Sequence, residues 1–310
     1  MKDVFILLSG PSLNDITEQE KEYIRSCPVI AVGLYMHFWE LIGIKPSIFL
    51  QVQPAWNQPF GSFIKDSHGK SATLKSIGEI IEYHNMDCTI YANPENARYL
   101  KGGDPPCPTE DPYYAQTLRD LEDVKLFSKN CLARCDKPFN FEIKSIDVDE
   151  TSRHRLIQKY SNTGPDPVWA KTLEDRFLGT SSVSSAINLA TVLYPGANVK
   201  LLGNDGGPQK YFYNSIKDDQ ILSLYDQMLR PLALALRSSN PHYNSSNGNY
   251  PVDYIMKKVK ESGCSLYNCS LTSIFSSAFD KSGADFKKFD KGTRRHIGKI
   301  PYCKIIPLEG

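Results

Sequence analysis

GTSSVSSAINLATVLYPGANVKLLGNDGG, residues 179–207, decides how the rest of the chain is read. It opens on a turn of small residues, Gly179-Thr180-Ser181-Ser182. Val183, Ile187, Ala190, Thr191 and Leu193 then fall near the 3.6-residue period of a helix. Pro195-Gly196 ends that helix, and Val199-Lys200-Leu201-Leu202 reads as a short buried strand. The strand runs into Gly203-Asn204-Asp205-Gly206-Gly207, a loop with one carboxylate. Ligands of open α/β sheets sit where loops leave the carboxyl ends of strands, and helix N-termini present N–H groups to anions. The same unit also reads as a purely structural αβ pair, because it carries no nucleoside-triphosphate signature.

The start of the chain repeats the pattern. Val4-Phe5-Ile6-Leu7-Leu8 is a continuous apolar strand, of the kind buried on both faces of a parallel sheet. Ser9-Gly10-Pro11-Ser12-Leu13 follows at once. Gly10 permits close approach of the backbone, Pro11 fixes a turn, and Ser12 or Asn14 is placed to cap what comes next. A charged helix over about 18–25 precedes a second strand, 28–32, that ends in Gly33-Leu34-Tyr35. A third strand, 47–51, ends in Val52-Gln53-Pro54. Three strands with crossovers inside 55 residues form a βαβ pattern. Helix is expected over 75–83 and a fourth strand over 88–91, then a Pro- and Gly-rich loop from 102 to 114 and a helix over 111–123. Residues 128–165 show no firm period apart from an alternating, edge-like run at 139–148, and read as an insertion decorating the core.

After the opening stretch, Tyr211, Phe212 and Tyr213 lead into a helix near 218–237. Residues 238–249 are an unusually polar loop holding His242 and Tyr243. Helix 252–262 and strand 264–268 complete the pattern. The expectation is an α/β fold, a mostly parallel twisted sheet with helices on both faces. Residues 280–304 are basic, which reads as a solvated tail or surface helix, or as peripheral contact with an anionic membrane face.

Composition narrows the functional classes. The 310 residues hold 36 Lys+Arg against 35 Asp+Glu, so net charge gives no sign of a nucleic-acid-binding surface. No apolar run reaches the length of a spanning helix, and the five-residue run at the start is too short for a signal peptide, so a cytoplasmic chain is expected. Eight cysteines are scattered with no CxxC pair, which points to reduced packing residues and to no metal site. Asn244-Ser-Ser and Asn268-Cys-Ser match the glycosylation pattern, which carries no weight without a secretion signal. Asp218-Asp219 sits at an expected helix start, where acidic residues suit the dipole.

The strand followed by Gly10-Pro11-Ser12-Leu13, joined to the Thr180-Ser181 helix and the Leu201-Leu202-Gly203-Asn204-Asp205 strand and loop, resembles a known group. The chain looks like the bacterial sialyltransferases typified by the Campylobacter lipooligosaccharide enzymes, with relatives among motility-accessory and Kdo transferases. The resemblance covers residues 1–55 and 177–275. It implies one Rossmann-like nucleotide-sugar-binding domain, a GT-A-like sialyltransferase variant over about 1–275. That domain would hold an insertion at about 100–165 and a lid at about 206–250, with the basic segment 276–310 beyond it. It implies a CMP-activated sugar as co-substrate, a glycan acceptor, and no other cofactor or metal. It leaves room for a homo-oligomer and for a cytoplasmic protein peripheral at the inner membrane face.

By that resemblance Ser9, Gly10, Pro11 and Ser12 contact the nucleotide, with Ser9 standing where the family has asparagine. Gly33 and Gln53 fall on two further nucleotide-contacting positions, asparagine in the family, and Thr180, Ser181 and Ser182 form its Thr-Ser turn. Gly203, Asn204 and Asp205 form its aspartate loop. Tyr213 matches the lid tyrosine that assists the departing phosphate, whereas Gly207 stands at a second lid tyrosine. His242-Tyr243 matches the first His-Tyr of the lid, and Ser246 stands where the family keeps its base. Two assignments stay open. Asp205 either orients ligand hydroxyls or caps its own turn, and His242 is either the acceptor's base or a surface residue. Two other readings compete: a metal-dependent nucleotide phosphotransferase of pyrophosphokinase type, and a nucleotide-sugar-binding protein without catalysis.

Overall fold

Asp3–Leu7 (β1) is buried on both sides, and it sits inside the sheet as the third of its seven strands. In the computed structural model the described residues are 2–33, 35–52, 63–65, 71–73, 85–94, 97, 142–149, 167–179, 181–205, 212, 252–271, 273, 276 and 299–307. After β1, a 3-10 turn at Pro11–Asp15 leads to α1 (Glu18–Arg25), β2 (Val29–Val32), α2 (Tyr35–Ile42) and β3 (Ile48–Gln51). A small antiparallel hairpin, β4 (Phe63–Lys65) and β5 (Ser71–Thr73), precedes β6 (Thr89–Ala92) and β7 (Ile143–Ser145). The short parallel pair β8 (Val148–Asp149) and β9 (Phe177–Leu178) introduces α3 (Ser182–Leu193), β10 (Asn198–Leu202), α4 (Val252–Glu261) and β11 (Ser265–Asn268).

Seven strands form one sheet in the order β11-β10-β1-β2-β3-β6-β7, and each neighbouring pair is parallel. Alternation along β1 divides the core. Phe5 and Leu7 join Leu13, Ile24 of α1 and Tyr35 and Met36 of α2 on one face. Val4 and Ile6 join Ala186, Ile187 and Ala190 of α3 with Ile255 and Val259 of α4 on the other. The fold is therefore α/β, a parallel sheet covered on both sides, as its continuous apolar strands require.

Several local expectations change. Thr17, not Ser12 or Asn14, caps α1: its Oγ1 accepts from the Glu20 N–H and its own N–H donates to Glu20 Oε2. The Pro11 turn uses residues 11–15 before that cap can form. Tyr35 begins a helix instead of ending the loop after β2. Within the stretch read as an insertion, the edge-like run at 139–148 does supply an edge strand, residues 143–145, and that strand belongs to the main sheet. In the basic tail, 299–307 docks on the sheet edge: Tyr302 bridges Asn268, and the Ile305 carbonyl accepts from Lys200 Nζ at 2.8 Å. The expected helices at 75–83, 111–123 and 218–237 lie outside the described residues. Among the described residues, no helix is long and apolar enough to cross a membrane.

The helix of the opening stretch is not a one-sided stripe. Every residue from Ser184 to Thr191 is buried, because the segment 167–178 covers the face turned away from the sheet. Asn188 makes that second contact possible. Its Oδ1 accepts from the N–H groups of Ala170 (3.0 Å) and Leu178 (3.2 Å), and its Nδ2 donates to the Ala170 carbonyl (2.9 Å). Asn188→Leu keeps the volume and strands three buried backbone groups, each worth about 1–3 kcal/mol when left unsatisfied. A loss of about 3 kcal/mol is expected in a urea titration; a change under 0.5 kcal/mol would show that segment 167–178 does not depend on this side chain.

Candidate functional site

The strand order reverses beside β1. From there the chain steps outward through β2, β3, β6 and β7, then returns to lay β10 against the other side of β1 and β11 beyond it. The carboxyl edge at such a switch point is the usual ligand position of open α/β sheets. The loops leaving β1 and β10 both carry the residues singled out from sequence. α3 ends at the amino end of β10, through the Pro195-Gly196 turn, and packs back across β1, β2 and β3. Its N-terminus thus lies at the same carboxyl edge.

Backbone hydrogen bonds hold the two loops side by side. The Leu8 N–H donates to the Leu202 carbonyl and the Gly10 N–H to the Gly203 carbonyl, both at 2.9 Å. Gly10 is required by this approach, since a Cβ there would overlap the Gly203 carbonyl and Asp205 Oδ2. Gly203 turns with φ of +71°, a left-handed conformation that glycine adopts without strain. Pro11 lies inside the 3-10 turn, which the Leu13 N–H closes on the Gly10 carbonyl.

Asp205 is 3 % exposed and joins three loops. Its Oδ2 accepts from the Ser12 N–H at 2.9 Å, and its Oδ1 accepts from the Ser270 hydroxyl at 2.5 Å. A carboxylate offers about four lone-pair positions, so these two bonds leave acceptor capacity. Behind it, Asn268 Nδ2 donates to the Asn204 carbonyl and to Ser273 Oγ, and the Ser270 N–H donates to Asn268 Oδ1. Asn204, 6 % exposed, is different: its Nδ2 has no hydrogen-bond partner among the described residues, nor has the buried Ser182 Oγ at the start of α3. Buried polar atoms are nearly always satisfied, so each marks a place where a partner belongs: an acceptor for the Asn204 amide, a donor or an acceptor for the Ser182 hydroxyl.

The remaining candidates divide. Ser9 and Gly33 are neighbours: a Cβ on Gly33, whose φ is +62°, would lie 3.8 Å from Ser9 Oγ. The Ser9 carbonyl accepts from the Phe212 N–H at 3.0 Å, while Asn14 Nδ2 donates to the Phe212 carbonyl at 3.0 Å. The Phe212 ring packs on Tyr35, 5.8 Å between centroids. Burial pushes the Tyr35 phenol well above its usual range, so it stays a donor, to the Ile44 carbonyl at 2.9 Å. Ser181 spends its side chain on the helix: its Oγ accepts from the Ser184 N–H and its N–H donates to Ser184 Oγ, a reciprocal cap. Gln53, Thr180, Tyr213 and His242 lie outside the described residues. Among the described residues, no cluster of metal-ligating side chains is found.

Ser270, Asn268, Ser273, Asn14 and Phe212 also belong to this site, a role that no motif in the sequence assigns to them. The loop after β11 leaves the same carboxyl edge as the loops after β1 and β10. Applying the strand-end rule to the last strand would have found its polar residues, which were read only as a glycosylation pattern. No protein-family model matches the chain, and neither the search of curated proteins nor that of solved structures finds a similar one.

Proposed function

We propose that this chain is a glycosyltransferase that moves sialic acid, or a related ulosonic acid such as Kdo, from a CMP-sugar to a glycan acceptor. One observation carries the reading. The Gly10-Pro11-Ser12 loop and the Gly203-Asn204-Asp205 loop close on each other at the switch point of a parallel sheet, beside the Asn204 amide, which has no partner among the described residues. In this reading the domain is Rossmann-like, a GT-A-like sialyltransferase variant whose lid spans about 206–250. Ser9, Gly10, Pro11, Ser12, Gly33 and Gln53 line the nucleotide side. Thr180, Ser182, Gly203 and Asn204 complete it, Ser181 by capping the helix that Ser182 begins and Asp205 through its remaining lone pairs.

The chemistry suits such a site. Transfer passes through an oxocarbenium-like state, and CMP leaves as a phosphate monoester that needs little protonation. Hydroxyls and backbone N–H groups can hold that single phosphate. Phe212 brings the chain back onto the Ser9 carbonyl, so its neighbour in sequence, Tyr213, is the residue assigned to the departing phosphate. His242 is assigned as the base that takes the acceptor's proton, because its ordinary pKa lies near working pH. The basic C-terminal segment would bring the enzyme to an anionic membrane face where glycan acceptors are built.

The test is thermal denaturation against CMP, CDP, UDP, GDP, ADP and ATP, each with and without Mg²⁺. At about 100 times its Kd a ligand stabilises by about 2.7 kcal/mol, a readily measured rise in Tm. Stabilisation by CMP, indifferent to Mg²⁺, is expected, followed by release of CMP from CMP-sialic acid or CMP-Kdo. Stabilisation only by ATP or a diphosphate with Mg²⁺ would overturn this reading in favour of a phosphotransferase. CMP binding with no donor turnover, with or without acceptor, would leave a binding protein.

A further inference from the structure

Two cysteines meet where the C-terminal segment docks on the sheet edge. Asn268, the last residue of β11, pairs in parallel with Tyr302. Its N–H donates to the Pro301 carbonyl at 2.9 Å, and its carbonyl accepts from the Cys303 N–H at 3.2 Å. The next residue on each side is a cysteine, and the Cys269 and Cys303 sulfurs lie 3.8 Å apart. Both are free and half-buried. Paired strands run about 4.8 Å apart, inside the Cα separation of about 4.4–6.8 Å that disulfides span. Side-chain rotation alone can therefore close the bond.

The two thiols are not equivalent. The hydrogen bond they share lowers the Cys303 thiol and raises the Cys269 thiol; burial raises both, and the nearby Lys200 ammonium and Asp3 carboxylate act on both in opposite senses. Cys303 is thus the sulfur prepared to attack and Cys269 the one prepared to resolve, and the thiolate is the nucleophile in such exchange.

We propose that Cys269 and Cys303 form a reversible disulfide by exchange with a small-molecule disulfide of the glutathione type. The Cys303 thiolate attacks one sulfur of that disulfide, whose S–S bond breaks and releases one small thiolate, which takes up a proton. Cys269 gives up its proton to solvent and its thiolate attacks Cys303 Sγ in the mixed disulfide, releasing the second small thiol. Two protein thiols are oxidised and one small disulfide is reduced to two thiols. The bond pins residues 299–307 to the end of β11. It also fixes the residue before Ser270, whose hydroxyl holds Asp205. The inference is independent of which ligand occupies the crevice, and it stands if the CMP-sugar reading fails.

The test uses full-length wild-type protein equilibrated with oxidised glutathione. Remaining thiols are alkylated, and the protein is digested without reduction for mass spectrometry. The expected product is one cross-linked peptide pair containing Cys269 and Cys303, lost after dithiothreitol. The ring closes over 34 residues, so the oxidised form should melt about 5 °C or more above the reduced form. Cys303→Ser and Cys269→Ser should each abolish both the cross-link and the redox-dependent shift. Recovery of both cysteines alkylated, as stable glutathione adducts, or linked to other cysteines would overturn the proposal. Mapping on the wild type decides the matter even if a variant fails to fold.

Discussion

Gly10→Val is expected to abolish the candidate site and to remove about 3 kcal/mol or more of stability. The first added carbon would overlap the Gly203 carbonyl and Asp205 Oδ2, neither of which is the free end of a flexible chain. Backbone and a buried carboxylate must move, and overpacking of that kind typically costs about 1–3 kcal/mol before any hydrogen bond is lost. Three bonds are at risk as well: Gly10 N–H to Gly203, Leu8 N–H to Leu202 and Ser12 N–H to Asp205. Urea denaturation gives the stability, and the nucleotide panel on the folded fraction reads the site. A variant with wild-type stability and ligand response would show that the two loops do not need this contact.

Lys200→Met is expected to be at least as damaging, though it lies away from the crevice. Lys200 Nζ sits 2.6 Å from Asp3 Oδ2, with side chains 5 % and 3 % exposed. It also donates to the Ile305 carbonyl and lies over the rings of Phe5 and Tyr23. Tyr23 Oη donates to Asp3 Oδ2 at 2.8 Å and Asn198 Nδ2 to Oδ1 at 3.0 Å. Removing the cation leaves a buried carboxylate with two neutral donors, a change that costs about 3–5 kcal/mol, whereas removing both charges is often close to neutral. Asp3→Asn combined with Lys200→Met should therefore recover most of the loss. Equal losses in single and double variants would mean that packing, not charge, makes Lys200 necessary.

The same cluster sets a pH dependence. Burial works against the charge on Asp3, but the hydrogen bonds from Lys200, Asn198 and Tyr23 outweigh it and hold the carboxyl below its usual range. A depressed carboxylate contributes stability that is full above its unfolded pKa, about 3.9, and is lost as pH falls through the folded value. The acid-side fall in wild-type stability should accordingly be shallower in Asp3→Asn.

The strands and the helices α1, α3 and α4 were legible because local chemistry marks them. Val4–Leu7 and Val29–Val32 are apolar runs and Val199–Leu202 is one interrupted only by Lys200, each followed by glycine within three residues, a signal that needs no tertiary information. The 179–207 stretch and the Ser9–Leu13 loop also proved to be neighbours, held by Gly10 and Gly203. The failures have a shared cause. Tyr35 starts a helix whose apolar faces are settled by packing under the sheet, and Ser184–Thr191 is buried all round with the help of segment 167–178, to which the sequence assigns no element. The Ser270–Asp205 bond spans 65 residues, and no local pattern announces it. Asp205 is expected either to orient ligand hydroxyls or to cap its own turn; what no sequence pattern announces is that it also accepts from two loops that only the strand order brings together.

The placement of β1 also dictates when the molecule can be finished. Asp3 pairs with Asn198, so the central ladder closes a span of 195 residues. Closing so long a flexible span costs about 5 kcal/mol in chain entropy before any contact repays it. On the ribosome, β1 emerges about 10–40 s before its β10 partner at ordinary rates of synthesis. During that interval β1 can pair with β2 and β3, yet its other edge, with Val4 and Ile6 lacking the cover of α3, is an open strand of the kind that recruits foreign strands. The crevice is then a late product of folding: its two loops meet only when the most distant pair of the sheet has zipped.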